Sequence, residues 1–198
     1  LSFWACKFYL FRRGKSFKNN KLIMLKGNSI YLRAVEKEDA STLFIWENNP
    51  ANWKVSNTEI PFSMHTIHQL IEQQSNIRNS GQLRMIICLI ENDFPIGAVD
   101  LYDVSFRHGF ASLGILIAEE KERRKGFAKE SMELMIEYTR DILEFSNLQC
   151  SIHDDNKASI NFFKQLGFKL CGTKKNWLLY KGKRINEVNY QLCLREIK

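Results

Sequence analysis

Apolar positions along the chain switch between a period of two and a period near 3.6, and the switches mark out its elements. The run SIYLRAV from Ser29 alternates as a strand does, with Ile30, Leu32 and Ala34 on one face. Ala40, Leu43, Phe44 and Trp46 then recur at helical spacing, and Asn48–Asn49–Pro50 ends that helix. Residues 51–62 carry no periodicity and read as an irregular loop. Ser63 is placed to cap a second helix, whose Ile67, Leu70, Ile71 and Gln74 fall at i, i+3, i+4 and i+7. QLRMIICLI and PIGAVDLYDV are apolar strands joined across Asn92–Asp93, which is hairpin chemistry, and GFASLGILIA is a third strand. Phe127, Leu134, Met135, Tyr138 and Ile142 line one face of a helix over 126–145. A strand LQCSIH, a short helix from Asn156 to Gly167 and two strands around Lys181–Gly182–Lys183 follow. The order β-α-α-β-β-β-α-β-α-β-β predicts an α/β layered domain with a mixed sheet.

Charge and composition sharpen that picture. At 198 residues and 44% hydrophobic, with three prolines, the chain can build one domain with a sizeable core and no long linker. The net charge of +7 would suit nucleic acid, but its distribution does not. Lys7, Arg12, Arg13, Lys15, Lys18 and Lys21 crowd into residues 1–23, which hold no acid, and without them the rest stands at +1. No nucleic-acid partner is therefore expected. In the same segment the apolar run from Phe3 to Phe11 is too short to cross a bilayer, and its positive charges follow the run rather than precede it. Residues 1–23 are read as a basic extension outside the fold, with the domain over 24–198; an interfacial anchor is the competing reading. Five scattered cysteines without a CxxC pair point to reduced thiols and a cytoplasmic chain. His65 and His68 have no third ligand at metal-site spacing, so no metal is expected.

One stretch asks for more than a fold. EEKERRKGFAKES places Arg123, Arg124 and Lys125 directly before Gly126, Phe127 and Ala128, where a helix begins after a strand. The first backbone N–H groups of that helix lack intrahelical acceptors, and the macrodipole adds positive charge there. A glycine and a small alanine let an anion such as a diphosphate approach the backbone, and Lys129 adds to the field. A solvated charged loop would look similar, and the run lacks the layout of a nucleotide P-loop.

A second signature follows about thirty residues later. Arg123–Ala128 resembles the pyrophosphate loop [QR]-x-x-G-x-[GA] of the GNAT N-acetyltransferases. Asn156-Lys-Ala-Ser159-Ile-Asn-Phe-Phe163-Lys-Gln-Leu-Gly-Phe168 resembles that family's N-x-x-[AS]-x-x-[FL]-[YF]-x-x-[LC]-G-F helix. The likeness runs from about Ile30 to Leu194 and is closest to the spermidine/diamine and ribosomal-protein alanine acetyltransferases. It implies the GNAT fold, a mixed and mostly antiparallel sheet flanked by helices on both faces. It implies acetyl-CoA as co-substrate, with the pantetheine arm along Ile115, Leu116 and Ile117 and the pyrophosphate on Arg123, Arg124, Lys125, Gly126, Phe127, Ala128 and Lys129. Asn156, Ser159 and Phe163 would lie near the far end of the arm. The chain departs from the family twice: Phe163 stands where many relatives carry a Tyr acid, and Ala111–Ser112–Leu113–Gly114 replaces a Glu-containing strand text.

Acetyl transfer from a thioester needs a neutral amine, a polarised carbonyl and an exit for the thiolate. Candidates for meeting a cationic amine are Glu36, Glu47, Glu59, Asp100 and Asp103, with Glu59 favoured from the loop before Ile60–Pro61; Ser112 and Tyr180 are candidate proton relays. The expected function is transfer of an acetyl group to a primary amine, a polyamine or diamine such as spermidine, by a possible homo-oligomer. The alternatives are a ribosomal-protein N-terminal alanine acetyltransferase and a non-catalytic acyl-CoA-binding module.

Overall fold

In a computed structural model, residues 25–56 and 58–195 are described. The expected extension over 1–23 lies outside them. The described strands are β1 (Leu25–Lys26), β2 (Ile30–Ala34), β3 (Leu83–Leu89), β4 (Pro95–Ser105), β5 (Phe110–Ile117), β6 (Asn147–His153), β7 (Lys169–Tyr180) and β8 (Lys183–Cys193). The helices are α1 (Ala40–Glu47), α2 (Pro50–Ser56), α3 (Met64–Gln73), α4 (Ile77–Ser80), α5 (Phe127–Asp141) and α6 (Lys157–Gln165). The strands form a single sheet ordered β1-β2-β3-β4-β5-β6-β8-β7. Its neighbours are antiparallel except β5 and β6, which run parallel around the α5 crossover.

Alternation along the strands builds a core on each face. Ile30, Leu32, Met85, Ile87, Val99 and Leu101 pack with Met132 and Met135 of α5. The residues between them, Tyr31, Ile86, Cys88 and Ala98, pack with Leu43 and Trp46 of α1 and Ile67 and Ile71 of α3. Burying an aliphatic side chain of this size stabilises the fold by roughly 1.5–3 kcal/mol, so both helical layers are held by the central strands. No helix among the described residues is long and apolar enough to cross a membrane.

Four local expectations meet a different geometry. Pro50 ends α1 as read, but it also opens α2, so part of the expected loop is helical. Proline suits a first helical position because its missing N–H would have no acceptor there, and Asn49 Oδ1 takes the Ala51 N–H at 3.0 Å. Ala34 faces solvent at the end of β2, while Arg33 is buried by an ion pair to Asp39 at 2.6 Å. Ile142 is 67% exposed, because α5 stops at Asp141 and its buried positions are Ser131, Met132, Met135 and Thr139. Lys183 belongs to β8, so the turn is the two-residue Lys181–Gly182, with φ of 48° and 77°, as a type I′ hairpin requires. The Asn92–Asp93 hairpin and the Ser63 cap, which accepts from Thr66 N–H, stand where the pattern put them.

Candidate active site

The sheet opens where β5 meets β6. Their parallel pairing covers only Phe110 with Asn147, Ala111 with Leu148 and Ser112 with Gln149. Past Ser112, β5 stays bonded to β4 as far as Ile117, and β6 stays bonded to β8 as far as His153. Among the described residues, the β6-facing backbone groups of β5 between Leu113 and Leu116 therefore meet no strand. A buried peptide group without a partner is costly, so this wedge is a place for an extended polar ligand. A cleft of about 850 Å3 occupies it, lined by Gly114, Ile115 and Leu116 on one wall and Cys150, Ile152 and His153 on the other.

The phosphate-loop residues sit at the end of this wedge. Arg123 does not point outward: its Nε donates to the Ile117 carbonyl at 2.9 Å and its Nη2 to Ala118 at 3.3 Å, fixing the loop to the end of β5. Arg124 is exposed in a left-handed conformation with φ of 63°. Gly126 is the N-cap of α5 at φ 92°, with no side-chain cap, and a Cβ built on it meets nothing within 4 Å. Open space beside uncapped N–H groups is what an incoming diphosphate requires. Arg123 pairs with Glu120 at 3.8 Å, Lys125 with Glu122 at 2.9 Å and Lys129 with Glu133 at 3.6 Å, so three of the expected cations are partly neutralised. Phe127 packs its ring on the core, and Ala128 is half-buried beside it.

Asn156 and Ser159 line the cleft together with Phe163. The Asn156 side chain caps α6 by accepting from Ser159 N–H at 3.1 Å. Phe163 is 5% exposed, with its ring edge-on to Phe168 at 5.1 Å, so it offers the cleft an apolar surface and no proton.

Further into the cleft lies a cluster of charge. Arg84 donates through Nε and Nη2 to Asp100 at 2.7 and 2.9 Å, and through Nη1 to Glu47. Burial works against the Arg84 charge, but the two carboxylates outweigh it and raise its pKa above the ordinary value. Ser112 is buried at the splay point; it accepts from Gln149 Nε2 at 3.0 Å and donates to Asp103 Oδ2 at 3.2 Å. Asp103 stands at φ 49° where the β4–β5 register slips. Lys174 Nζ meets Glu187 at 2.6 Å on the C-terminal wall.

The described lining holds four carboxylates (Glu47, Asp100, Asp103, Glu187) and two cations (Arg84, Lys174), an excess of two negative charges in a chain that is +7 overall.

Of the acids singled out in the sequence, Glu47, Asp100 and Asp103 come together in the cleft. Glu59 does not line it: it is exposed on the segment whose Thr58 and Phe62 do. Glu36 forms a capping box with Asp39, and Tyr180 sits at the β7–β8 turn. Much of the lining escaped the sequence reading, Arg84, Glu187, Lys174 and Tyr102 included. Tyr102 lies on β4 opposite Ser112, and its ring reaches to 3.5 Å of a Cβ built on Gly114. Burial first, then the nearby Cys150, Asp103, Asp100 and Glu187, push its phenol up to about 12. Alternation placed Tyr102 on a strand but could not say that this strand flanks the opening. Cys150 is buried in the cleft wall, and burial raises its thiol to about 12, too high for a ready nucleophile.

Comparison with known proteins bears on the family and the fold. The family model described as acetyltransferase (GNAT) domain matches residues 29–169. An uncharacterised N-acetyltransferase p20 of Bacillus licheniformis is 25% identical, over 83% of this chain and 93% of its own. The spermidine N(1)-acetyltransferase of Escherichia coli K12 is 23% identical, over 86% and 88%. The crystal structure of Vibrio cholerae spermidine N-acetyltransferase, in complex with CoA and spermine, superposes with a TM-score of 0.76 at 19% identity, covering 83% of this chain and 95% of that one.

Proposed function

The chain belongs to the GNAT acetyltransferase family, and from that premise we propose that it acetylates a primary amine of a polyamine or diamine such as spermidine. The observation that carries this reading is the negative excess of the cleft, set against a positive chain. Carboxylates held on a low-dielectric wall attract a cationic acceptor and concentrate it there. Acetyl-CoA, when bound, supplies the activated acetyl group and a thiolate leaving group. The edge of β5 that β6 leaves open, along Ile115, Leu116 and Ile117, would hold its arm, and the uncapped start of α5 with Gly126 its phosphates. N–H groups on that edge of β5 would polarise the carbonyl as an oxyanion hole does.

Proton handling falls to the chain's own side chains. Asp103, held by Ser112 Oγ, is placed to accept a proton or orient the amine; Glu47 and Asp100 are held to Arg84 and shape the field around it. Tyr102 lines the cleft opposite Ser112 and close to Gly114; burial pushes its phenol up to about 12, so it would hold a proton there and could serve as the acid that Phe163 does not supply. Glu59 would act at longer range, through its charge at the acceptor side.

A free-thiol release assay with acetyl-CoA and spermidine, putrescine or an alanyl peptide tests the reading. Spermidine is expected to give the highest kcat/KM, and its KM is expected to rise with salt as the cleft charge is screened. A preference for the alanyl peptide would move the acceptor to protein N-termini. Phe163→Tyr is expected to leave kcat unchanged or raise it. A loss of rate would mean that the ring serves packing alone.

A further inference from the structure

Lys54 joins α2, which borders the cleft, to Asp155 in the turn between β6 and α6, beside a second and smaller hollow lined by Asp155 and Tyr180. It sits on α2, between Asn52 and Ser56, which line the cleft. Its ammonium meets Asp155 Oδ2 at 2.6 Å and lies 5.1 Å from the centre of the Tyr180 ring. Asp155 in turn stands between His153 and Asn156, both lining residues of the opposite wall. A carboxylate beside an aromatic face is the recognition chemistry of an ammonium ion. Here the ion is supplied by the chain itself. A second ammonium, Lys181 Nζ, lies 5.5 Å from the same ring. The neighbouring Asp154 is occupied otherwise, accepting from Asn186 Nδ2 at 2.8 Å.

The pair is poorly suited to be a permanent fastening. Lys54 and Asp155 are 31% and 46% exposed at their side chains. Exposed pairs of this kind contribute at most about 1 kcal/mol. Another ammonium of equal charge can therefore replace Lys54 at little cost.

We propose that Asp155 and Tyr180 form a seat for the distal ammonium of a di- or polyamine at the cleft mouth, held by Lys54 as an internal stand-in until the acceptor displaces it. The proposal rests on the polyamine reading above. The reacting amine enters the wedge, and the far end of the same molecule is read at Asp155. Lys181, Lys183 and Arg184 line the same hollow as Asp155 and Tyr180, so it takes at most one further ammonium, in exchange for Lys54, and positive charge further along the acceptor is disfavoured. A monoamine has no group for the seat.

The two partners of the pair should shift affinity in opposite directions, which a structural clasp would not do. Calorimetry with CoA present compares spermidine and butylamine on the wild type, Asp155→Asn, Tyr180→Leu and Lys54→Gln. Asp155→Asn and Tyr180→Leu are expected to weaken spermidine relative to butylamine by about three- to fivefold, the range of an exposed charge pair. Lys54→Gln, which removes the competing ammonium, is expected to tighten spermidine relative to butylamine by a similar factor. The ratio of KM values in turnover should follow the same order. If Lys54→Gln weakens spermidine alongside Asp155→Asn, the contact is a clasp and the seat is overturned. Spermidine turned over with the same KM ratio in all four proteins overturns the seat alone. Spermidine neither bound nor acetylated by any of them overturns the polyamine reading and the seat with it.

Discussion

Tyr102→Phe is expected to lower kcat about a hundredfold while leaving the affinity for acetyl-CoA within a factor of two. A positioned general acid contributes about 10²–10⁴-fold, and a thiol of pKa about 8.5 leaves well enough unaided to put this site at the lower end. The pH dependence separates this acid from others. Tyr102 is neutral below its pKa of about 12, so the acid form persists across the working range. The kcat/KM of the wild type should rise as the acceptor ammonium deprotonates, toward a plateau near the pKa of an alkylammonium, about 10.4. No falling limb should appear below pH 11. Tyr102→Phe should keep the rising limb at a lower level. A falling limb centred below pH 10 in the parent would assign the proton to a different group, and an undiminished kcat in the variant would remove Tyr102 from the reaction.

Gly126→Val is expected to weaken acetyl-CoA by tenfold or more, equivalent to about 1.4 kcal/mol. Two effects combine. Gly126 holds φ 92°, a conformation that a β-branched residue adopts only with strain. Its Cβ would also enter the open space beside the uncapped N–H groups of α5. Gly126→Asn separates them, since asparagine tolerates left-handed backbone yet still puts a side chain in the diphosphate's path. Both variants should bind more weakly by calorimetry while circular dichroism keeps the helical signal. Affinity unchanged in both would make Arg123–Ala128 an ordinary charged turn.

The parts of the site that the sequence made legible are those written in contiguous residues. The cationic run, glycine and helix start of 123–129 and the Asn156–Phe168 stretch each carry their pattern in contiguous residues, and the structure shows a helix at both. The acids of the acceptor side were only half legible. Asp100 and Asp103 are among the candidates the sequence offers, but it favours Glu59 over them, because nothing local distinguishes an acid in a loop that faces the cleft from one that faces water. Arg84 gave no signal at all. Its role depends on Glu47, 37 residues earlier, and Asp100, 16 residues later, and such separations are closed only by strand pairing.

The sequence by itself determined the order of the longer elements, the two-faced strands, the Ser63 cap and the positions of the hairpins, because hydrophobic period and backbone preference act within a few residues, while the short β1, α2 and α4 went unread. It also singled out one short segment as the candidate diphosphate site, since N–H groups at a helix start and a glycine beside them are local features. Tertiary structure alone decided that β5 and β6 part after Ser112 and Gln149, that Pro50 begins a helix as well as ending one, and that Tyr102 of β4 lines the opening together with Phe163. Each of these turns on which distant backbone segments pair and which are left without a partner. That is settled when the whole sheet satisfies its hydrogen bonds and buries both faces together.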